Sequence, residues 1–220
     1  MLELVSIHIP KTAGTTFYAI LEQVYGSDAV SPAYRRRDVV KHLVDGNFRP
    51  PLPYGLRVLH GHFYFKEVQR LQEQSGAKMI CWFRNPVERV ISNYRFFIAG
   101  LKHPDRNPQQ YELNKHRKGE SLLTYAARSE NQNRMHDFTA GLDPEELFFC
   151  GLMEYFEQDI HRLAAILKWP SFSIPQLNQG TVLRPEMDVV SSAVKQQIKD
   201  WNALDVALYN CIVQFRGLSH

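Results

Sequence analysis

The chain has 220 residues, 44% of them hydrophobic and 22% charged, which is enough for one domain with a proper core. A net charge of +3 and a pI near 8.7 suit an anionic ligand but are too weak for DNA binding, so no nucleic-acid partner is expected. No apolar run approaches membrane-span length and no charged leader precedes an apolar stretch, so neither a membrane span nor a targeting segment is expected.

Residues 4–9 are apolar and rich in β-branched side chains, which predicts a buried strand that Pro10 ends. A tight loop, Lys11-Thr12-Ala13-Gly14, follows, and Thr15 or Thr16 is expected to cap a helix carrying Phe17, Ile20, Leu21 and Val24, with Gly26 at its end. After the basic cluster Arg35-Arg36-Arg37, the positions Val39, Val40, Leu43 and Val44 predict a short helix, and the proline-rich residues 49–53 a stiff connector. A second strand over 55–59 runs into His60-Gly61-His62-Phe63. Phe65, Val68 and Leu71 then predict a helix that stops at Gly76.

Residues 77–83 read as a third, fully buried strand closing on Arg84. Asn85, Pro86 and Glu88 form a capping-box-like start to a helix with Val87, Val90, Ile91 and Tyr94 on its apolar stripe. Residues 102–118, polar and without periodicity, are expected to be a long loop or lid with a basic end, Lys115 to Lys118. Short helices are expected over 121–128 and 131–138, a fourth strand over 147–152, then a helix through Phe156, Ile160, Leu163 and Leu167. Residues 169–185, with Asn178, read as irregular. A last helix from about Asn202 is expected to bury Leu204, Leu208, Ile212 and Phe215. Cys81, Cys150 and Cys211 are sparse and scattered, which predicts reduced thiols and a cytoplasmic setting.

Strands alternate with helices throughout, which predicts an α/β fold: one P-loop-like three-layer domain over 1–220, with a central parallel sheet, helices on both faces and an acceptor-side insertion at about 100–141. In such sheets ligands bind at the carboxyl ends of strands, and Lys11, His60/His62 and Arg84 all follow strands. Backbone N–H groups and the helix dipole after Lys11 favour an anion. The lysine comes too early for a Walker A loop, and Arg84 stands where a Walker B acid would serve Mg²⁺. An arginine there grips a second phosphate, so a nucleotide with two separated phosphates and no obligatory metal is expected.

The run His8-Ile9-Pro10-Lys11-Thr12-Ala13-Gly14-Thr15-Thr16-Phe17 resembles the 5′-phosphosulfate loop of sulfotransferases. Arg84-Asn85-Pro86-Val87-Glu88-Arg89-Val90-Ile91-Ser92-Asn93-Tyr94 resembles their 3′-phosphate segment. His60-Gly61-His62, Gly151 to Phe156 and the Asn178 loop are similar to the branch that includes heparan sulfate 2-O-sulfotransferase. The resemblance implies sulfuryl transfer (EC 2.8.2) from 3′-phosphoadenosine 5′-phosphosulfate (PAPS) to a small-molecule or carbohydrate hydroxyl, most of all a carbohydrate's. It implies that Lys11, Thr12, Ala13, Gly14, Thr15 and Thr16 hold the phosphosulfate, that Arg84 and Ser92 hold the 3′-phosphate, and that His62, or alternatively His60, is the base. The chemistry agrees: a neutral histidine takes the acceptor proton, and Lys11 stabilises charge on the leaving phosphate. The competing readings are a nucleotide or small-molecule kinase of the P-loop class and a non-catalytic nucleotide-binding protein.

Overall fold

The computed structural model describes residues 1–44, 47–175 and 190–218, so Asn178 and its loop lie outside the described residues. Six strands occur among them: β1 (Leu4–Ile7), β2 (Leu43–Val44), β3 (Asn47–Phe48), β4 (Val58–Gly61), β5 (Lys78–Phe83) and β6 (Phe149–Leu152). Four form a parallel sheet in the order β4-β1-β5-β6, while β2 and β3 make a separate antiparallel ladder. The helices are α1 (Gly14–Tyr25), α2 (Arg36–His42), α3 (Phe65–Ser75), α4 (Pro86–Lys102), α5 (Pro108–Asn114), α6 (Leu122–Ala126), α7 (Arg134–Thr139), α8 (Phe156–Leu167), α9 (Ser192–Trp201) and α10 (Ala203–Phe215).

The sheet is apolar on both faces because both are covered. Val5, Ile7, Leu59, Met79, Cys81 and Phe83 share a core with Phe65 and Val68 of α3, Met135 and Phe138 of α7, and Tyr209 and Ile212 of α10. The alternate positions, Leu4, Val58, Ile80, Trp82 and Phe149, pack with Phe17, Ile20 and Leu21 of α1 and Ile160 and Leu163 of α8. Trp82 lies across its register partner Gly151, where an added Cβ would come within 2.3 Å of the indole. From β1 the chain passes to β4 on one side and later to β5 on the other. The order therefore reverses at β1, and the crevice that such a reversal opens lies at the strand's carboxyl end. The three-layer α/β expectation holds.

Several local expectations do not. β1 stops at Ile7, and β4 runs from Val58 to Gly61, so His60 is inside the sheet rather than beyond it. Residues 102–118 are not a long loop: α5 and two 3-10 turns occupy most of them. Pro104 and Pro108 stand at the first positions of helical turns, where the missing N–H costs nothing, and Asn107 caps α5 by accepting from Gln110 N–H. Helix α9 was not expected. Ser191 caps it by accepting from Val194 N–H, and Val194, Ile198 and Trp201, at helical spacing, pack against Val90 and Ile91 of α4. In α10 the buried face is Asp205, Tyr209, Ile212 and Val213, whereas Leu204 and Phe215 are half exposed.

Asp205 sets that face. Its carboxylate, fully buried, lies 3.7 Å from the equally buried Arg89 guanidinium and accepts from the backbone N–H groups of Met135 and His136. Arg89 also donates to the Asn131 carbonyl. The pair ties α4, α7 and α10 together behind the crevice. Arg89→Met leaves a buried carboxylate without its counter-ion and is expected to cost about 3–5 kcal/mol, lowering the thermal midpoint by on the order of 10 °C. Arg89→Met with Asp205→Leu is expected to recover most of that loss. A single variant that melts with the wild type would show that the pair does not hold these helices.

Candidate active site

The turn after β1 takes its shape from its backbone and one buried hydroxyl. Lys11 and Ala13 both adopt left-handed backbone (φ 73° and 66°), a conformation costing about 1–2 kcal/mol for each non-glycine residue. Thr12 holds the turn: its hydroxyl, fully buried, donates to the Ile9 carbonyl at 2.9 Å. Arg84 Nη1 donates to the Lys11 carbonyl at 3.2 Å. Ala13 is the N-cap of α1, without a side-chain cap, so neither Thr15 nor Thr16 caps the helix as expected; both sit in its first turn. The first bond of the helix runs from Phe17 N–H to the Ala13 carbonyl, which leaves the N–H groups of Gly14, Thr15 and Thr16 without intrahelical partners. Twelve residues of aligned helix dipole end on those three donors, as in a phosphate-binding turn. Thr12 therefore shapes the cradle rather than presenting its hydroxyl to it.

Beside the turn, Lys11, Arg84, Glu88, Ile91, Ser92, Arg95 and Phe96 line a cleft of about 130 Å³. The start of α4 is closed by Asn85, whose side chain accepts from the Val87 and Glu88 N–H groups, so side-chain cations supply the cleft's affinity for anions. Glu88 forms no capping box; its carboxylate accepts from Lys195 Nζ at 3.2 Å. Among the described residues neither Arg84 nor Arg95 has a carboxylate within 4.0 Å, and the buried Nε of Arg95 has no hydrogen-bond partner. Burial depresses the pKa of Arg84, and the Arg95 charge adds to this, against Glu154 and Glu88. Lys11 Nζ lies 4.2 Å from the centre of the exposed Phe96 ring. Burial, with the Arg84 charge, brings its pKa down to about 8. The structure thus joins Lys11, Arg84 and Ser92 in one cleft and adds Arg95, which the sequence reading missed although it lies one turn beyond Ser92 on α4.

The two expected histidines stand at different depths. His60, in β4, is buried against Phe17 and Tyr18 of α1, with Nδ1 2.9 Å from Ser6 Oγ and an Nε2 that has no partner. Burial and the neighbouring His62 pull its pKa to about 3. His62 follows the strand and is half-buried. Its Nδ1 is 2.7 Å from the His8 carbonyl, and because a carbonyl only accepts, the ring proton sits on Nδ1 and the Nε2 lone pair is free. Its backbone is pinned on both sides: N–H donates to the Tyr34 carbonyl, and the His62 carbonyl accepts from Arg36, itself paired with Glu67. Burial lowers the His62 pKa, partly offset by the His8 carbonyl and assisted by the charges of Arg35, Arg36 and Arg134. His8, also missed, stacks on both rings, 5.0 Å from His60 and 4.2 Å from His62. Among the described residues no cluster of His, Cys, Asp or Glu is arranged to hold a metal ion.

A helix N-terminus with open N–H groups at the sheet's reversal point, and an arginine rather than an acid directly after β5, define a P-loop-like fold with two cationic sites side by side. The chain belongs to the sulfotransferase family, whose family model matches residues 2–210. It is 27% identical over 238 residues to galactose-3-O-sulfotransferase 3 of Bos taurus, in an alignment covering 91% of this chain and 53% of that protein. The chain thus spans about half the length of that curated relative. Solved structures similar to it include a sulfotransferase from Alicyclobacillus acidocaldarius (TM-score 0.47, 16% identity, 97% of this chain and 96% of that one). Another is mouse sulfotransferase SULT7A1 complexed with PAP (TM-score 0.45, 14% identity, 78% of this chain and 61% of that one). No helix among the described residues is long and apolar enough to cross a membrane.

Proposed function

We propose that this chain transfers a sulfuryl group from PAPS to a hydroxyl of a carbohydrate, with His62 as the base. The observation that carries the reading is the continuity of two anion sites through Lys11, which belongs at once to the β1–α1 turn and to the Arg84–Ser92–Arg95 cleft. The donor supplies an activated sulfuryl group on a phosphate that leaves. Gly14, Thr15 and Thr16 N–H groups and Lys11 meet the charge that grows on that phosphate, and they need no reorganisation to do so. His62 Nε2, unprotonated at neutral pH, accepts the acceptor hydroxyl's proton. His60 is too deeply enclosed for that role. A kinase would need an acid at the end of β5, where Arg84 stands. The carbohydrate acceptor rests on family membership and on the relative named for a galactose hydroxyl.

The test is incubation with ³⁵S-labelled PAPS and a panel of galactosides, other sugars, phenols and lipids. Label is expected on a sugar; label on none of the panel would refute the activity, and label on phenols alone would refute the acceptor class. Arg95 offers a finer check. Arg95→Ala removes a charge-assisted contact to the 3′-phosphate and is expected to weaken 3′-phosphoadenosine 5′-phosphate (PAP) about 10-fold. Binding of 5′-AMP, measured by the same calorimetry, is expected to stay within about twofold. Equal losses for both nucleotides would assign Arg95 to the fold instead.

A further inference from the structure

We propose that His8 is a positioning residue: its ring is the spacer that sets the His62 base at a fixed distance from the donor turn. This rests on His62 being the base. Three contacts carry it. The His8 and His62 rings are stacked with centres 4.2 Å apart and planes 23° apart. The His8 carbonyl takes the His62 Nδ1 proton at 2.7 Å and so fixes which nitrogen is free. The His8 ring also meets Gly14, the first residue of α1, so closely that an added Cβ there would fall 1.9 Å from His8 Nε2.

Base and cradle therefore both meet this one ring, His62 by stacking and Gly14 by close approach. The backbone makes that ring a fixed point. His8 N–H donates to the Gly61 carbonyl at 2.8 Å, extending the β1–β4 ladder one residue past the register pair Ile7 and Gly61. The buried His60 ring stacks on His8 as well, with centres 5.0 Å apart. A flat side chain is what the gap admits, and glycine at position 14 is what lets the ring seat.

The charged and titratable groups that face His62 are His8 from the end of β1, His60 from β4, Arg35 and Arg36 at the start of α2 with Glu67 of α3 behind them, and Arg134 of α7. None is a carboxylate in contact with the ring. Taking the His8 ring away lets water reach His62 and relieves part of the burial that keeps it neutral.

The experiment pairs His8→Ala with Gly14→Ala. His8→Ala keeps the backbone carbonyl and loses the spacer. It is expected to lower kcat about 10-fold while the Kd for PAP stays within about twofold, and to move the acid limb of kcat/KM upward toward the ordinary histidine value. Gly14→Ala alone must push the ring aside and is expected to weaken PAP binding. In the His8→Ala background the same change is expected to cost far less, a non-additivity that only contact between ring and turn produces. Additive losses, an unmoved acid limb, or a kcat that falls in step with PAP affinity would overturn the proposal. A wild-type chain that binds no PAP would instead remove the donor reading on which it stands.

Discussion

Lys11→Ala is expected to lower kcat by about 10²–10³-fold, the range seen when one preorganised donor to a developing anion is lost. The KM for donor is expected to rise by less, because the cleft cations Arg84 and Arg95, proposed to hold the far phosphate with Ser92, and the α1 N–H groups remain. The lysine's surroundings also set a pH limit. Its Nζ is enclosed beside Phe96 and near Arg84, and its pKa falls to about 8. A lysine with a lowered pKa is charged below that value and neutral above it. The free enzyme is therefore expected to lose kcat/KM as pH rises through about 8, an alkaline limb that kcat/KM profiles report directly. Donor binding brings negative charge to the ammonium and is expected to move the limb in kcat to higher pH than the limb in kcat/KM. Identical limbs in both, or a Lys11→Ala variant with near-normal kcat, would contradict the role given to Lys11.

His62→Ala is expected to cost about 10²–10⁴ in kcat, the usual contribution of a placed base, with PAP binding nearly unchanged because His62 is not among the residues lining the Arg84 cleft. Burial and three nearby guanidinium groups keep the ring neutral to lower pH than a free histidine. Below its lowered pKa the ring is protonated and cannot accept a proton. The acid limb of kcat/KM is therefore expected to lie under 6.5, giving a bell between this limb and the Lys11 limb near 8. His60→Ala is the contrast: it removes a buried ring from the α1 packing and should act on stability before it acts on the pH profile. Loss of the acid limb in His60→Ala, with His62→Ala retaining it, would exchange the two assignments.

The sheet was legible because strands covered on both faces read as unbroken apolar runs, and residues 79–83 and 149–152 are such runs, Lys78 at the start of β5 being exposed. The turn between β1 and α1 was legible through Pro10 and its small residues, although its cap was not. A threonine is the expected N-cap, but the left-handed Ala13 takes that place, and the helix end is left open for an anion instead of being satisfied by a hydroxyl. Helix α5 escaped because it buries no apolar residue and starts on a single capping residue, Asn107; α9 was overlooked although Val194, Ile198 and Trp201 after the Ser191 cap stand at helical spacing. The register of α10 was set wrongly because apolar periodicity cannot see a buried aspartate whose partner, Arg89, is more than a hundred residues away. His8 and Arg95 escaped for a related reason. Each stands beside a residue that was picked out, but the contacts that give it a role cross between elements: β1 to β4 and α1 for His8, α4 to the end of β5 for Arg95.

The claim that two anion sites meet at Lys11 is tested most directly by calorimetric titration of the wild-type chain with PAP, 5′-AMP and ATP, each with and without Mg²⁺. PAP is expected to bind at micromolar or tighter Kd, at least about 10-fold tighter than 5′-AMP, and to be indifferent to Mg²⁺. PAP that binds no better than 5′-AMP, or ATP that binds best and only with Mg²⁺, would contradict the account at its centre.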